Sequence, residues 1–417
     1  MINALYNLAD AYFVGGLGTG QMGAISVAFP IGQVIVGLGL LFGNGAASCI
    51  SRLLGSGDRD QAGRFASTAL YGSMAAGIAV IALTLVFLRP VLIFLGATES
   101  ILPYAVTYGT IYVISCMFNV FNVTMNNLVT SEGAARTTMF ALLSGALLNI
   151  ILDPVFIYIL DLGVAGAAIA TAISQMASTV VYLLYILRKK SIFRFRIQEC
   201  CFWGHVPAEI FKIGIPTLVF QLLAGLSVTL VNVRAKEYGD SVIAGMGAVT
   251  RIISMGSLMV FGFLKGFQPI AGYSYGAKKY DRLHQAIRLS VIWSTIFCTV
   301  FGITLALSAE TIVTCFTSND RQFIEAGRSA LRAGGLSFVC FGFYTVYSFL
   351  YLALGKGKEG FILGACRQGI CFIPVILILP EIWGVSGILY AQSVADGLSA
   401  LITVFMAANL HQQLSRR

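Results

Sequence analysis

A chain of 417 residues with 57% apolar and only 11% charged residues, at a mean hydropathy of +0.84, cannot cover itself with polar side chains. Soluble domains carry about 25% charged residues. The composition therefore excludes a cytosolic enzyme, a nucleic-acid-binding module and a disordered tail, and makes the lipid bilayer the main solvent. The net charge of +9 then matters through where the basic residues fall along the chain. The nine Cys are scattered without a C-x-x-C, and the three His lie in or beside polar segments. Neither a zinc site, a redox pair nor a His-based relay is indicated.

A membrane helix needs roughly 20 predominantly apolar residues. In chain order the apolar segments are 1–15, 22–51, 65–88, 100–131, 138–160, 162–187, 213–233, 242–269, 289–309, 333–355, 359–379 and 384–408, which gives twelve spans. The first covers only about 22 Å at about 1.5 Å per residue, and reads as the second half of a helix. Loops after the even-numbered spans, with the C-terminus, hold Arg52, Arg59, Arg64, Arg136, Arg188, Lys189, Lys190, Arg194, Arg196, Lys278, Lys279, Arg282, Arg288, Lys356, Lys358, Arg367, Arg416 and Arg417. The opposite loops hold Arg89, Arg234, Lys236, Arg321, Arg328 and Arg332. Eighteen against six puts the C-terminus in the cytoplasm.

The chain is internally duplicated. A shift of 221 residues lays Gly55 on Gly276, and Gly163-Val-Ala-Gly166 on Gly384-Val-Ser-Gly387. The expected fold is an all-α membrane protein of two six-helix bundles, 1–190 and 208–417, joined by a basic cytoplasmic linker at 191–207. Halves of even span number keep the same orientation in the membrane.

An ionisable residue within a span is costly and marks a functional site by default. The first half offers Asp10 and Asp153; the second offers Arg251, Lys265, Arg367 and Asp396. Asp153 stands out, in Leu147-Leu-Asn-Ile-Ile-Leu-Asp-Pro154. Asn149 lies one turn earlier on the same face, and Pro154 withholds a backbone N–H, freeing a carbonyl. Carboxylate, amide and carbonyl oxygens are the hard ligands a small cation prefers. In a dry site the same acid would instead carry a proton. The structural alternative is a hydrogen bond to a neighbouring helix. Asp10 repeats the pattern with Asn7, and Thr171 alone reads as a hydroxyl bonded to its own helix. Arg367 and Asp396 read as a pair between adjacent helices, and Lys265 as facing a wet cavity or the cytoplasmic surface. Two stripes could line a path for flat organic cations. One is Asn119, Asn122 and Asn126; the other is Phe338, Phe341, Tyr344 and Tyr347.

The chain resembles the multidrug and toxic compound extrusion (MATE) family of cation-coupled exporters over essentially its whole length. The resemblance rests on Asn7-Leu-Ala-Asp10 with Phe13-Val-Gly-Gly-Leu-Gly18, on Ser51-Arg-Leu-Leu-Gly-Ser-Gly-Asp58, and on Asn126-Asn-Leu with Glu132-Gly133. It continues through Asn149-Ile-Ile-Leu-Asp-Pro154, Gly163-Val-Ala-Gly-Ala-Ala168, Gly266-Phe-Gln-Pro269 and Tyr275-Gly-Ala-Lys-Lys-Tyr-Asp-Arg282. It implies an inner-membrane antiporter, a monomer without a cofactor, that expels amphipathic and often cationic organic compounds by rocking two bundles. In the family branch that looks most similar, H⁺ or Na⁺ binds a polar cluster in the first bundle, which maps to Asp10, Asn149, Asp153 and Thr171. Another branch places acidic ligands in spans 7 and 10. Here those spans offer Gln221 and aromatic residues, with no acid, so that site is expected to be absent. The substrate cavity is expected to draw on Asn122, Asn126, Gln221, Lys265 and Tyr344. The rival reading is a flippase for lipid-linked or polysaccharide precursors, with Arg251, Lys265 and Arg367 meeting a pyrophosphate. An intramembrane enzyme would need a His, Ser–Lys or metal constellation within a span, and the sequence has none.

Overall fold

The computed structural model describes residues 13, 19–95, 97–99, 101–201, 203–238, 240–314 and 321–415. Among them there is no strand, and eleven helices are long and apolar enough to cross a membrane. The protein is an all-α, multi-pass membrane protein. The chain packs as two units, Met1–Leu218 and Val219–Arg417.

The first unit contains α1 (Thr19–Ser56), α2 (Arg59–Val86), α3 (Leu88–Phe94), α4 (Leu102–Ser131), α5 (Ala135–Pro154) and α6 (Gly163–Leu187). A single π turn, Val155–Ile159, continues α5. Helix α7 (His205–Ala235) begins in this unit and passes into the second. Asp58 caps α2, its side chain accepting from the Gln61 N–H at 3.0 Å. Helix α4 is central, packing on α1, α2 and α6, and α5 leans on α6. Ala28, Ile35, Leu92, Val113 and Val120 form the middle of its core.

The second unit contains α8 (Asp240–Gly276), α9 (Tyr280–Leu307), α10 (Ala309–Thr314), α11 (Arg321–Ala353), α12 (Gly357–Ala365), α13 (Phe372–Trp383) and α14 (Val385–Ser415). A π turn, Cys366–Ile370, joins α12 to α13. Helix α11 plays the part of α4 and packs on α8, α9 and α14.

The duplication extends to details that hydropathy does not show. The short helices α3 and α10 begin at Leu88 and Ala309, again 221 apart, and each turns two residues at the same offset inward: Leu88 and Leu92, Ala309 and Val313. Gly163 and Gly384 both take a positive φ, 53° and 58°, at the entry to a long helix. That conformation costs a side-chain-bearing residue about 1 kcal/mol or more, so glycine recurs at both copies. Three residues later, Gly166 and Gly387 each lie against backbone of the preceding helix, at Phe156 and at Leu379.

The segment between α6 and α7 is tied to the first unit. The Glu132 carboxylate accepts from the Ser191 hydroxyl at 2.9 Å and the Ile192 N–H at 2.8 Å. The Tyr71 hydroxyl donates to the Phe195 carbonyl, the Cys201 N–H donates to Thr68, and Phe193 is buried. Burial pushes the Glu132 carboxyl above its usual range, and the bonds from Ile192, Tyr185 and Ser191 oppose the shift without cancelling it. A raised folded-state pKa means that this carboxyl favours folding while protonated and loses that contribution as pH rises through the raised value. Glu132→Gln, neutral at all pH, should therefore gain in thermal midpoint over the wild type as pH rises above the usual carboxylate range. The check is a pH series of melting curves on both proteins.

In the second unit α9 and α11 meet at Gly302 and Gly335. A Cβ on Gly335 would sit 2.6 Å from the Gly302 carbonyl oxygen, and one on Gly302 would strike the Gly335 carbonyl. Such close approach is how membrane helices gain packing without a hydrophobic driving force between them. Gly335→Val should cost about 1–3 kcal/mol through overpacking, read as a lower unfolding midpoint in detergent.

Candidate functional site

Among the described residues of the first unit, Asp153 is a carboxylate buried at depth. Asn149 and Asp153 are both 0% exposed, and the Asn149 Nδ2 donates to Asp153 Oδ1 at 3.2 Å. The i, i+4 spacing read from sequence brings them together on one face of α5. Asn149 Oδ1 is buried with no hydrogen-bond partner among the described residues. Pro154 cannot donate to the Ile150 carbonyl. Directly beyond it the helix widens into the π turn, closed by the Leu160 N–H on the Val155 carbonyl at 2.9 Å. The sequence between Arg136 and Arg188 contains neither Lys nor Arg, so this hairpin brings no basic side chain of its own to Asp153.

Thr171 is half-buried on α6. The antiparallel register is fixed at two places: Gly145 faces Ser174 and Ser178, and Gly166 faces Phe156. That register puts Thr171 at the height of the turn between Asn149 and Asp153. Asp10 and Asn7 lie outside the described residues. Phe13, three residues after Asp10, docks on the π turn, where Tyr158 donates to its carbonyl at 2.5 Å. A buried carboxylate, an unpartnered amide oxygen and a carbonyl released by proline are a donor set for a small hard cation or a proton.

The other expected residues lie in several settings. Asn122 is bound up between α4 and α6, its amide donating to the Gln175 carbonyl and Oε1 at 2.8 and 2.9 Å and its oxygen accepting from Thr179 at 2.9 Å. Asn126 donates to the Tyr182 hydroxyl at 3.2 Å. Tyr344 is buried in the core of the second unit with Phe338, Phe341 and Tyr347. There Phe338 stacks on Phe341 at 4.9 Å between centroids. Gln221 is half-buried on α7, and Lys265 is exposed on α8.

The expected Arg367–Asp396 pair is present. Arg367 Nε meets Asp396 Oδ1 at 2.8 Å, where Gln392 also donates at 2.9 Å, and Ser337 donates to Oδ2 at 3.2 Å. The guanidinium lies 4.6 Å from the centre of the Phe341 ring. Both oxygens of this acid are satisfied by fixed groups of the second unit. The sequence did not single out Gln392 or Ser337. Gln392 stands one helical turn before Asp396, the same spacing that marked Asn149 and Asp153.

Carboxylates buried at membrane depth mark functional sites by default, among them ion and substrate pathways. The comparisons narrow this. The family model described as MatE matches residues 1–155 and 216–378. The chain therefore belongs to the MatE family. It is 29% identical over 416 residues to the multidrug export protein MepA of Staphylococcus aureus strain MSSA476, covering 100% of this chain and 92% of that protein. It is 30% identical over 421 residues, with the same coverage, to MepA of S. aureus strain NCTC 8325 / PS 47. Among solved structures, a MATE protein in the straight conformation superposes with a TM-score of 0.94 at 23% identity, covering 100% of this chain and 94% of that one. A MOP superfamily transporter from Pyrococcus furiosus Vc1 superposes at 0.93 with 23% identity, covering 99% and 93%. These structural likenesses establish the fold.

Breaking a buried ion pair from one side strands the other charge, whereas removing both can be nearly neutral. Asp396→Asn should cost about 3 kcal/mol of stability, and Arg367→Met with Asp396→Leu should recover most of it. Unfolding of the three proteins in mixed micelles reads the difference.

Proposed function

We propose that this protein is an antiporter that exports amphipathic, often cationic, organic compounds in exchange for inward H⁺ or Na⁺. The reading is carried by the fully buried Asn149–Asp153 pair on a helix broken by Pro154. It is supported by membership of the MatE family and by relatives named as multidrug export proteins. The coupling cation would bind at Asp153, with Asn149, Thr171 and Asp10 completing the site, as in the family branch with its cation site in the first bundle. Alternating access would come from rocking of two bundles, 1–190 and 208–417, about a linker at 191–207. The excess of Lys and Arg on one set of loops supports a cytoplasmic C-terminus in the plasma membrane. A monomer would suffice, since each part of the scheme lies within one chain. A flippase acting on pyrophosphates would need Arg367 available, and Arg367 is engaged by Asp396.

The test is transport of a fluorescent organic cation in proteoliposomes, with a pH gradient and a Na⁺ gradient imposed separately. The expected result is accumulation driven by one of the two. Asp153→Asn should abolish it while leaving the amount of folded protein unchanged. Full export by Asp153→Asn would overturn the coupling site, and no export by the wild type under either gradient would overturn the antiporter.

A further inference from the structure

Two of the chain's three histidines meet in the second unit, far apart in sequence. His284 on α9 and His411 on α14 lie 5.9 Å apart between ring centroids. His411 Nε2 pairs with the Tyr347 hydroxyl of α11 at 2.9 Å. His284 Nδ1 donates to the Tyr280 carbonyl at 2.8 Å, because a carbonyl can only accept. Beside them opens a cleft of about 480 Å³ lined by His284, Ile287, Arg288, Val291, Ile292, Tyr347 and His411.

The cleft has two ends of different chemistry. His284, Arg288 and Ile292 recur every four residues and share one face of α9, with Ile287 and Val291 alongside. From His284 to Ile292 the helix rises about 12 Å, so the lining changes from cationic and hydrogen-bonding to apolar over that distance. Arg288 is exposed, and no described carboxylate lies within ion-pair reach of it; Asp281, the one acid on α9, is two turns away. The cleft opens where α9 begins and α14 ends, directly after Lys278 and Lys279 and close in sequence to Arg282. Beyond its apolar end, Trp293, Ile296 and Val300 stay exposed along α9, as lipid-facing residues do.

We propose that this cleft binds the headgroup of an anionic phospholipid, with the phosphate at Arg288 and the upper acyl chain along Ile287, Val291 and Ile292. Basic pockets between helices at a membrane surface hold phospholipid headgroups through this combination of charge and apolar wall. A soluble anion would use the cationic end and leave the apolar end wet. A zwitterionic lipid would fill the apolar end but bring its own cation to Arg288. The assignment is independent of the coupling ion and of the exported compound.

The test is native mass spectrometry of the full chain, delipidated in detergent and then offered phosphatidylglycerol and phosphatidylcholine of identical acyl chains. The wild type should retain phosphatidylglycerol in preference, and Arg288→Gln should lower that preference about fivefold. Ile292→Trp, which keeps the charge and fills the apolar end, should lower phosphatidylglycerol retention as well. Both positions are exposed, so neither change disturbs the core. Equal retention of the two lipids by the wild type would overturn the proposal, and so would an unchanged preference in both variants. Displacement of bound phosphatidylglycerol by inorganic phosphate alone would assign the site to a free anion instead.

Discussion

The hydrocarbon interior offers no hydrogen bonds, so every polar group carried into it must be satisfied from within the protein or by something that travels through it. Two acids among the described residues, Asp153 and Asp396, are buried in different surroundings. Asp396 has an arginine, a glutamine and a serine fixed around its two oxygens. Asp153 has an amide from its own helix, in a hairpin whose sequence carries no basic residue between Arg136 and Arg188. Asp396 belongs to a closed structural unit, and Asp153 is the acid at which we propose the coupling cation binds.

Much of this was legible before any coordinates. Charge-free stretches located the spans because the cost of burying a charge is the largest local signal in a membrane sequence. The i, i+4 spacing of Asn149 and Asp153 marked the buried pair because both residues lie within one helix. The offset of 221 residues identified the repeat, and the structure extends it to α3 and α10. Hydropathy underestimated helix length. Helix α11 begins at Arg321, a dozen residues before its apolar stretch, because Glu325, Arg328 and Arg332 are good helix formers that ride on turns outside the hydrocarbon. Arg328 pairs there with Glu310 at 3.1 Å.

What the sequence could not supply is the identity of the group opposite a given face. The stripe of Asn122 and Asn126 is visible in the primary structure, but its partners Gln175, Thr179 and Tyr182 stand on another helix. The aromatic stripe of α11 likewise shows a face, and only the packing shows that Phe338, Phe341 and Tyr344 turn into the core. The meeting of His284 and His411 depends on two helix ends converging, and no local pattern announces it.

Both π turns among the described residues fall beside these buried charges. The Val155–Ile159 turn follows Asp153 and Pro154, and the Cys366–Ile370 turn contains Arg367. Each is closed by a bond reaching back five residues, Leu160 to Val155 and Cys371 to Cys366, both at 2.9 Å. Such turns widen the helix and are found at functional sites. In lipid, irregular backbone is tolerated only where it is covered by protein or lines a cavity. The two units therefore share a device, a loosened turn beside an ionisable side chain. In the second unit the chain closes the device with a charge of its own. In the first unit the hairpin between Arg136 and Arg188 carries no basic residue, which suits the proposed exchange of a coupling cation at Asp153.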